Sequence, residues 1–270
     1  MKSVVVGGVV AGVVMVSLLA AGCSGDAEPE GDGSPSGSAS SQPAQTPSST
    51  PSSASSAPSS ASAEPVLLRA RPARTKADWA LLRAARVASV RGVERALARG
   101  AAIDAFDETG ATALILATSA REVELATRLA ELGADVNHKD NGQESPYLIS
   151  TSEIGDDPRL LEVFLAHGGD LESHDSFDGT GLIRAADRGY VRIVRRLLAT
   201  DVALDHVNNL GWTALLEAVL LGDGDVAHQR VVRLLLDAGV DRTVPDSRGV
   251  TALEHARRLG YAEMVRLLEQ

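Results

Sequence analysis

Asn209-Leu210-Gly211-Trp212-Thr213-Ala214-Leu215-Leu216-Glu217-Ala218 reads as a tight turn that feeds a helix, with Gly-x-Thr-x-Leu at the joint. The phrase returns along the chain. Aligned on its Thr, it recurs at Thr112, Thr180, Thr213 and Thr251, with Ser145 in the equivalent place and Trp79-Ala80-Leu81 opening the series. The spacings are 33, 33, 35, 33 and 38 residues, a period that marks a repeat architecture.

A second landmark closes a Leu-rich helix in each period: Gly100, Gly133, Gly168 and Gly239, with Asp201 in the fourth place. Gly fits a left-handed helix-ending residue, and Asp is one of the few alternatives. From each of these positions to the next Thr or Ser is 12 residues. The connecting segment therefore has a fixed length. The period varies elsewhere, at Ile154-Gly155-Asp156-Asp157-Pro158 and Leu221-Gly222-Asp223-Gly224-Asp225, where Gly, Asp and Pro mark the loop between two helices. In the fourth repeat Leu182, Ala185 and Ala186 line the first helix. Gly189-Tyr190 makes the turn, and Val191, Val194, Leu197 and Leu198 line the second helix. Thr or Ser before each first helix can cap its free amides, and Pro146 sits where a missing amide hydrogen costs nothing.

These features resemble ankyrin repeats: the 33-residue period, Gly-x-Thr-x-Leu-x-x-Ala over Gly211–Ala218 and Gly249–Ala256, and Leu-Leu-x-x-Gly-x-Asp over Leu235–Asp241. The resemblance covers residues 76–270 in six units and implies an all-α repeat solenoid of helix-turn-helix units with hairpin fingers. Where the family carries His after Thr-x-Leu, this chain has Ile115, Leu148, Ile183, Leu216 and Glu254, so a weaker local hydrogen-bond network is expected. The third unit has Ser150-Thr151 in place of the Ala pair. The units at Trp79 and Gln270 read as caps. One such unit cannot bury its own apolar face, so stability comes from stacking.

The resemblance also implies a concave groove formed by fingers and first helices. The tips read Phe106-Asp107-Glu108, Lys139-Asp140-Asn141, His174-Asp175-Ser176-Phe177, Val207-Asn208-Asn209-Leu210 and Pro245-Asp246-Ser247-Arg248. Asp107, Asp140, Asp175, Asn208 and Asp246 are turn residues. Phe106, Phe177, Leu210 and Trp212 are apolar residues on turns, with no packing duty in the repeat pattern. Aromatic anchors dominate interface energetics. With them, Glu108, Lys139, Asn141, His174, Asn209, Arg188 and Leu221 form the candidate partner-binding set, the last two falling where the family faces its groove.

The first 22 residues are set apart as a targeting segment. Lys2 precedes an apolar run from Val4 to Ala21, then Leu19-Ala20-Ala21-Gly22-Cys23, which resembles the lipobox of bacterial lipoproteins. That resemblance implies a lipidated Cys23 and a cell-membrane anchor on the extracytoplasmic face. An uncleaved span is the alternative. Residues 23–75 form a Ser/Pro/Ala-rich tether expected to stay disordered, because it holds almost nothing that can bury. Its Arg69, Arg71 and Arg74 read as a solvated charge run.

Net charge is −10, so nucleic acid is not an expected partner. Catalysis is not expected: Cys23 is the one cysteine, and neither a Gly-x-Ser-x-Gly nucleophile motif nor a phosphate loop occurs. No cofactor is expected. Nor is a metal: His138 and His206 are equivalent and two units apart, and units stacked ~10 Å apart should keep them and His174 from closing on one ion. Asp223-Gly224-Asp225 reads as a helix cap. The expected function is binding of a protein or peptide by a monomer. A passive structural or protective envelope lipoprotein and an immunity-type toxin-binding protein are the alternatives.

Overall fold

The computed structural model describes residues 70–270, so the expectations for Cys23 and for the chain up to residue 69 lie outside the described residues. Among the described residues the elements run β1 (Arg71–Pro72), α1 (Lys76–Arg86), α2 (Val90–Ala98), β2 (Ala105–Phe106), α3 (Ala113–Ser119), α4 (Val123–Glu131), α5 (Pro146–Ser152) and α6 (Arg159–Ala166). They continue with α7 (Gly181–Asp187), α8 (Val191–Leu197), α9 (Ala214–Leu220), α10 (Val226–Ala238), α11 (Ala252–Leu259) and α12 (Ala262–Leu268). None of these helices is long and apolar enough to cross a membrane.

Each pair of helices is one unit. The first helices α1, α3, α5, α7, α9 and α11 pack neighbour on neighbour in one row; α4 packs on α6, and α8, α10 and α12 follow each other in the second row. This is the expected six-unit all-α solenoid. The helices begin where hydroxyls accept from their third amide: Thr112 from Ile115, Ser145 from Leu148, Thr180 from Ile183, Thr213 from Leu216 and Thr251 from Glu254. Gly100, Gly133, Gly168 and Gly239 follow the second helices at φ between 82° and 89°. A Cβ on any of them would meet nothing within 4 Å, so backbone freedom alone is what Gly supplies there.

Four expectations are corrected. Helix α1 starts a turn before Trp79, at a capping box in which Thr75 and Asp78 satisfy each other's amides. Arg71 and Pro72, read as tether, pair in parallel with Ala105 and Phe106 of the first finger. Arg71 is not a solvated charge: its guanidinium donates to both oxygens of fully buried Asp78, at 2.9 and 3.2 Å. Asp201 is not left-handed; α8 unwinds after Leu197, where the Thr200 hydroxyl donates to the Leu197 carbonyl at 2.5 Å. At the positions where the family carries His, Ile115, Leu148, Ile183 and Leu216 are all buried in the apolar core. Ile193 joins Val194 and Leu197 in the core, while Val191 and Leu198 are only half-buried.

The core divides into two apolar clusters that meet in the third unit. One runs from Leu81 to Phe164 and includes Ile149 and Leu160. The other runs from Tyr147 to Leu268 and includes Leu148 and Leu161. Between them α5 buries Ser150 and Thr151, whose hydroxyls donate back to the Tyr147 and Leu148 carbonyls, each at 2.7 Å.

Candidate functional site

Each finger is closed by its Asx residue. The Oδ1 of Asp107, Asp140, Asp175, Asn208 and Asp246 accepts from the amides two and four residues on, within 2.8 to 3.2 Å in every finger. Two amides on one oxygen fix the bend of each finger locally.

The last three complete fingers are each tied down by a residue nine positions further on. Arg184 donates to Asp175 at 2.6 Å, Asn208 donates to Glu217 at 2.8 Å, and His255 pairs with Asp246 at 2.8 Å. The helix residue follows the turn residue: Asp draws a basic partner, and Asn, which can donate, draws a carboxylate.

Between the third and fourth fingers this arrangement makes a cleft. Its lining includes Asp175, Phe177, Arg184, Asp187, Leu210, Glu217 and Leu221, and it continues to Glu144, Glu153 and Arg188. Five carboxylates (Glu144, Glu153, Asp175, Asp187, Glu217) face two guanidiniums. Arg184 is already committed, with Asp175 at 2.6 Å and both oxygens of Glu144 at 2.9 Å. Arg188 lies 3.6 Å from Glu153 and 3.6 Å from Asp187. Burial raises the carboxyl pKa of Glu144, against the pull of Arg184, and that of Asp187, against Arg188. Glu217 is pushed furthest, to about 7, by burial and then by repulsion from Asp187, with only the Asn208 amide opposing. Its Oε2 is buried with no hydrogen-bond partner.

The candidate residues divide by what they touch. Phe177 is 60% exposed, Leu210 47% and Leu221 48%, and all three line the cleft. Arg188 stands beside them. Glu108 and Asn209 are exposed at tips, and the Asn209 amide donates to the Phe177 carbonyl at 2.9 Å. Asn141 works in the scaffold: its side chain donates to the Glu108 carbonyl at 3.1 Å and its amide to Thr109 at 2.9 Å. Lys139 is pinned to the His174 carbonyl at 2.6 Å. Phe106 stacks on His138 with ring centroids 5.4 Å apart, and half-buried Trp212 packs against the C-terminal cluster. These two do have packing duties, contrary to the sequence reading.

A further correction concerns the histidines. His174 and His206 were expected to stand apart, yet their rings lie 4.4 Å apart. The reach of the side chains across neighbouring fingers outweighs the separation of the backbones. Sequence reasoning missed Arg184, Asp187, Glu217 and Asp178. The fixed nine-residue offset from the turn residue would have found the first and third.

A sequence profile of ankyrin repeats in three copies matches residues 148–243. The chain is 38% identical over 193 residues to the putative ankyrin repeat protein YahD of Escherichia coli (strain K12), covering 71% of this chain and 94% of that protein. Among solved structures, an ankyrin repeat domain from Acinetobacter baumannii AYE is 46% identical with a TM-score of 0.67, covering 70% of this chain and 95% of that one. The ankyrin repeat domain of Bcl-3, an IkappaB family member, shares the fold at 23% identity and a TM-score of 0.61, covering 74% and 86%. The chain therefore belongs to the ankyrin repeat family. Repeats of this family generally serve as protein-protein interaction modules.

Proposed function

We propose that this chain is a lipid-anchored, extracytoplasmic binding module whose cleft takes a basic, partly apolar segment of a partner protein. The observation that carries the reading is the juxtaposition of exposed Phe177, Leu210 and Leu221 with five carboxylates against only two guanidiniums, both of which lie in ion pairs with those carboxylates. Apolar anchors supply contact area, and an excess of negative charge selects and steers a cationic partner. The chain's net charge of −10 adds to that steering.

Peptide display against the folded chain tests the cleft. Enriched peptides should carry Lys or Arg beside apolar residues. They should bind the triple variant Phe177→Ser, Leu210→Ser, Leu221→Ser at least tenfold more weakly, about the loss of 1.4 kcal/mol. Enrichment of acidic peptides, or binding that survives in the variant, would reject the reading. The anchor rests on the sequence around Cys23. Cys23→Ser should abolish incorporation of labelled fatty acid, and a variant that still incorporates label counts against lipidation at Cys23.

A further inference from the structure

The two histidine contacts on the fingers occupy corresponding places two units apart. In one, Phe106 stacks on His138, and His138 Nε2 meets the Gly110 carbonyl at 3.0 Å. In the other, His174 takes the place of Phe106, His206 that of His138, and Asp178 that of Gly110. His206 Nε2 meets the Asp178 carbonyl at 2.8 Å, so the backbone bond is the same in both. The two changes add an imidazole and a carboxylate at one point. His174 Nδ1 lies 2.7 Å from Asp178 Oδ1, and His206 Nε2 lies 3.5 Å from Asp178 Oδ2. One ligand atom from each of the three falls within 4.8 Å of the others.

Asp178 is the informative residue. Its φ is +61°, in the left-handed region where Gly110 sits at +82°. A side chain there is disfavoured, though Asp is among the less penalised. The backbone bond from residue 178 to the Asp175 carbonyl is made equally by Gly110 to Asp107. The finger thus folds without a carboxylate at this position. What the carboxylate does touch is the two imidazoles.

We propose that His174, Asp178 and His206 form a binding site for a divalent transition metal of the zinc class. Two imidazoles and one carboxylate are a donor set suited to zinc, and a water or a partner's side chain completes a four-coordinate site. Bonds of ~2.0–2.2 Å require the three atoms to draw together. The side chains are 21% to 40% exposed, which leaves them room to rotate. Binding exchanges the His206 bond to the Asp178 carbonyl for a bond to the ion. It would clasp the third finger to the fourth, beside Phe177, and it does not depend on what the cleft binds.

The test is calorimetric titration of the untagged full-length chain with ZnCl2, with Co2+ absorption as a second readout. The wild type should bind one Zn2+ per chain. The double variant His174→Phe, Asp178→Gly reproduces the Phe106–Gly110 arrangement that this chain already folds, and Asp178→Asn removes the charge with little change of shape. Each should weaken binding by at least about tenfold, the loss that follows even when only a group orienting a ligand is removed. His167→Asn, at an exposed helix end, should leave it unchanged. Wild-type binding no tighter than that of the double variant would overturn the proposal, as would a loss confined to His167→Asn.

Discussion

Glu217 sets the pH response of the cleft. Burial and the nearby Asp187 raise its carboxyl pKa from 4.5 to about 7, and Oε2 has no partner. The folded chain then holds a proton that the unfolded chain releases above about pH 4.3. Stability from this group is full below that pH, falls as the pH climbs toward 7, and is flat beyond it. The span is ~3 kcal/mol at most, from 1.36 kcal/mol per pKa unit. Glu217→Gln keeps an acceptor for Asn208 and removes the titration. Denaturant melts at pH 5 and pH 8 should show the variant gaining on the wild type more at pH 8 than at pH 5; an equal difference at both would refute this. Asp78 has the opposite sign. Burial would raise its pKa, but the Arg71 guanidinium and the amides of Arg74, Ala102 and Thr75 hold it far below the usual range. Its contribution is lost only in acid. Of the two, only Glu217 was within reach of the sequence, through its nine-residue offset from Asn208. Its burial beside Asp187 was not legible, and nothing local marked Asp78 as the partner of Arg71.

At the scale of elements, the first helices from α3 onward were readable from the Thr or Ser before each, and Asp225 announced α10. Helices α4, α6, α8 and α12 gave no such signal, because none has a side-chain cap of its own. In α8, Tyr190 stands at that position. Asp156, in the loop of the preceding unit, accepts from the amides of Arg192 and Ile193 at 2.8 and 3.0 Å. A loop read correctly from Gly, Asp and Pro thus performs a service 36 residues downstream, which no local pattern records. Asp156→Ala should destabilise the chain by about 1 kcal/mol, with Asp156→Asn losing less. Chemical denaturation is the measurement, and an unchanged midpoint in the Ala variant would show that water caps α8 as well. Turns between paired helices were also hidden in part. Gly189 and Gly260 announce theirs, whereas Ala88 and Arg121 take φ of 52° and 60° with no such signal.

For the whole molecule, the repeat count and the helical rows followed from period and offset, and the division of the core did not. Sequence marked the third unit by Ser145, Pro146, a longer loop and a missing Ala pair, none of which points to a boundary in the core. In the structure that unit is where the two apolar clusters meet, and its buried hydroxyls bond to their own helix rather than across the boundary. Such back-bonding slightly weakens a helix. Replacing Ser150 and Thr151 together by Ala, as at Ala185 and Ala186, should stabilise the chain by about 1 kcal/mol and steepen the unfolding transition. A lower midpoint in the double variant would mean that the methyl of Thr151 outweighs its hydroxyl.

The fingers carry a consequence of another kind. Each is the same length and closes on its own Asx oxygen, and its joint to the following helix is alike throughout. A recombination event that begins in one joint and ends in another therefore removes or duplicates a whole unit and leaves every surviving hairpin intact. The gene can lengthen or shorten its reading surface in steps, without passing through a chain whose tips are out of register.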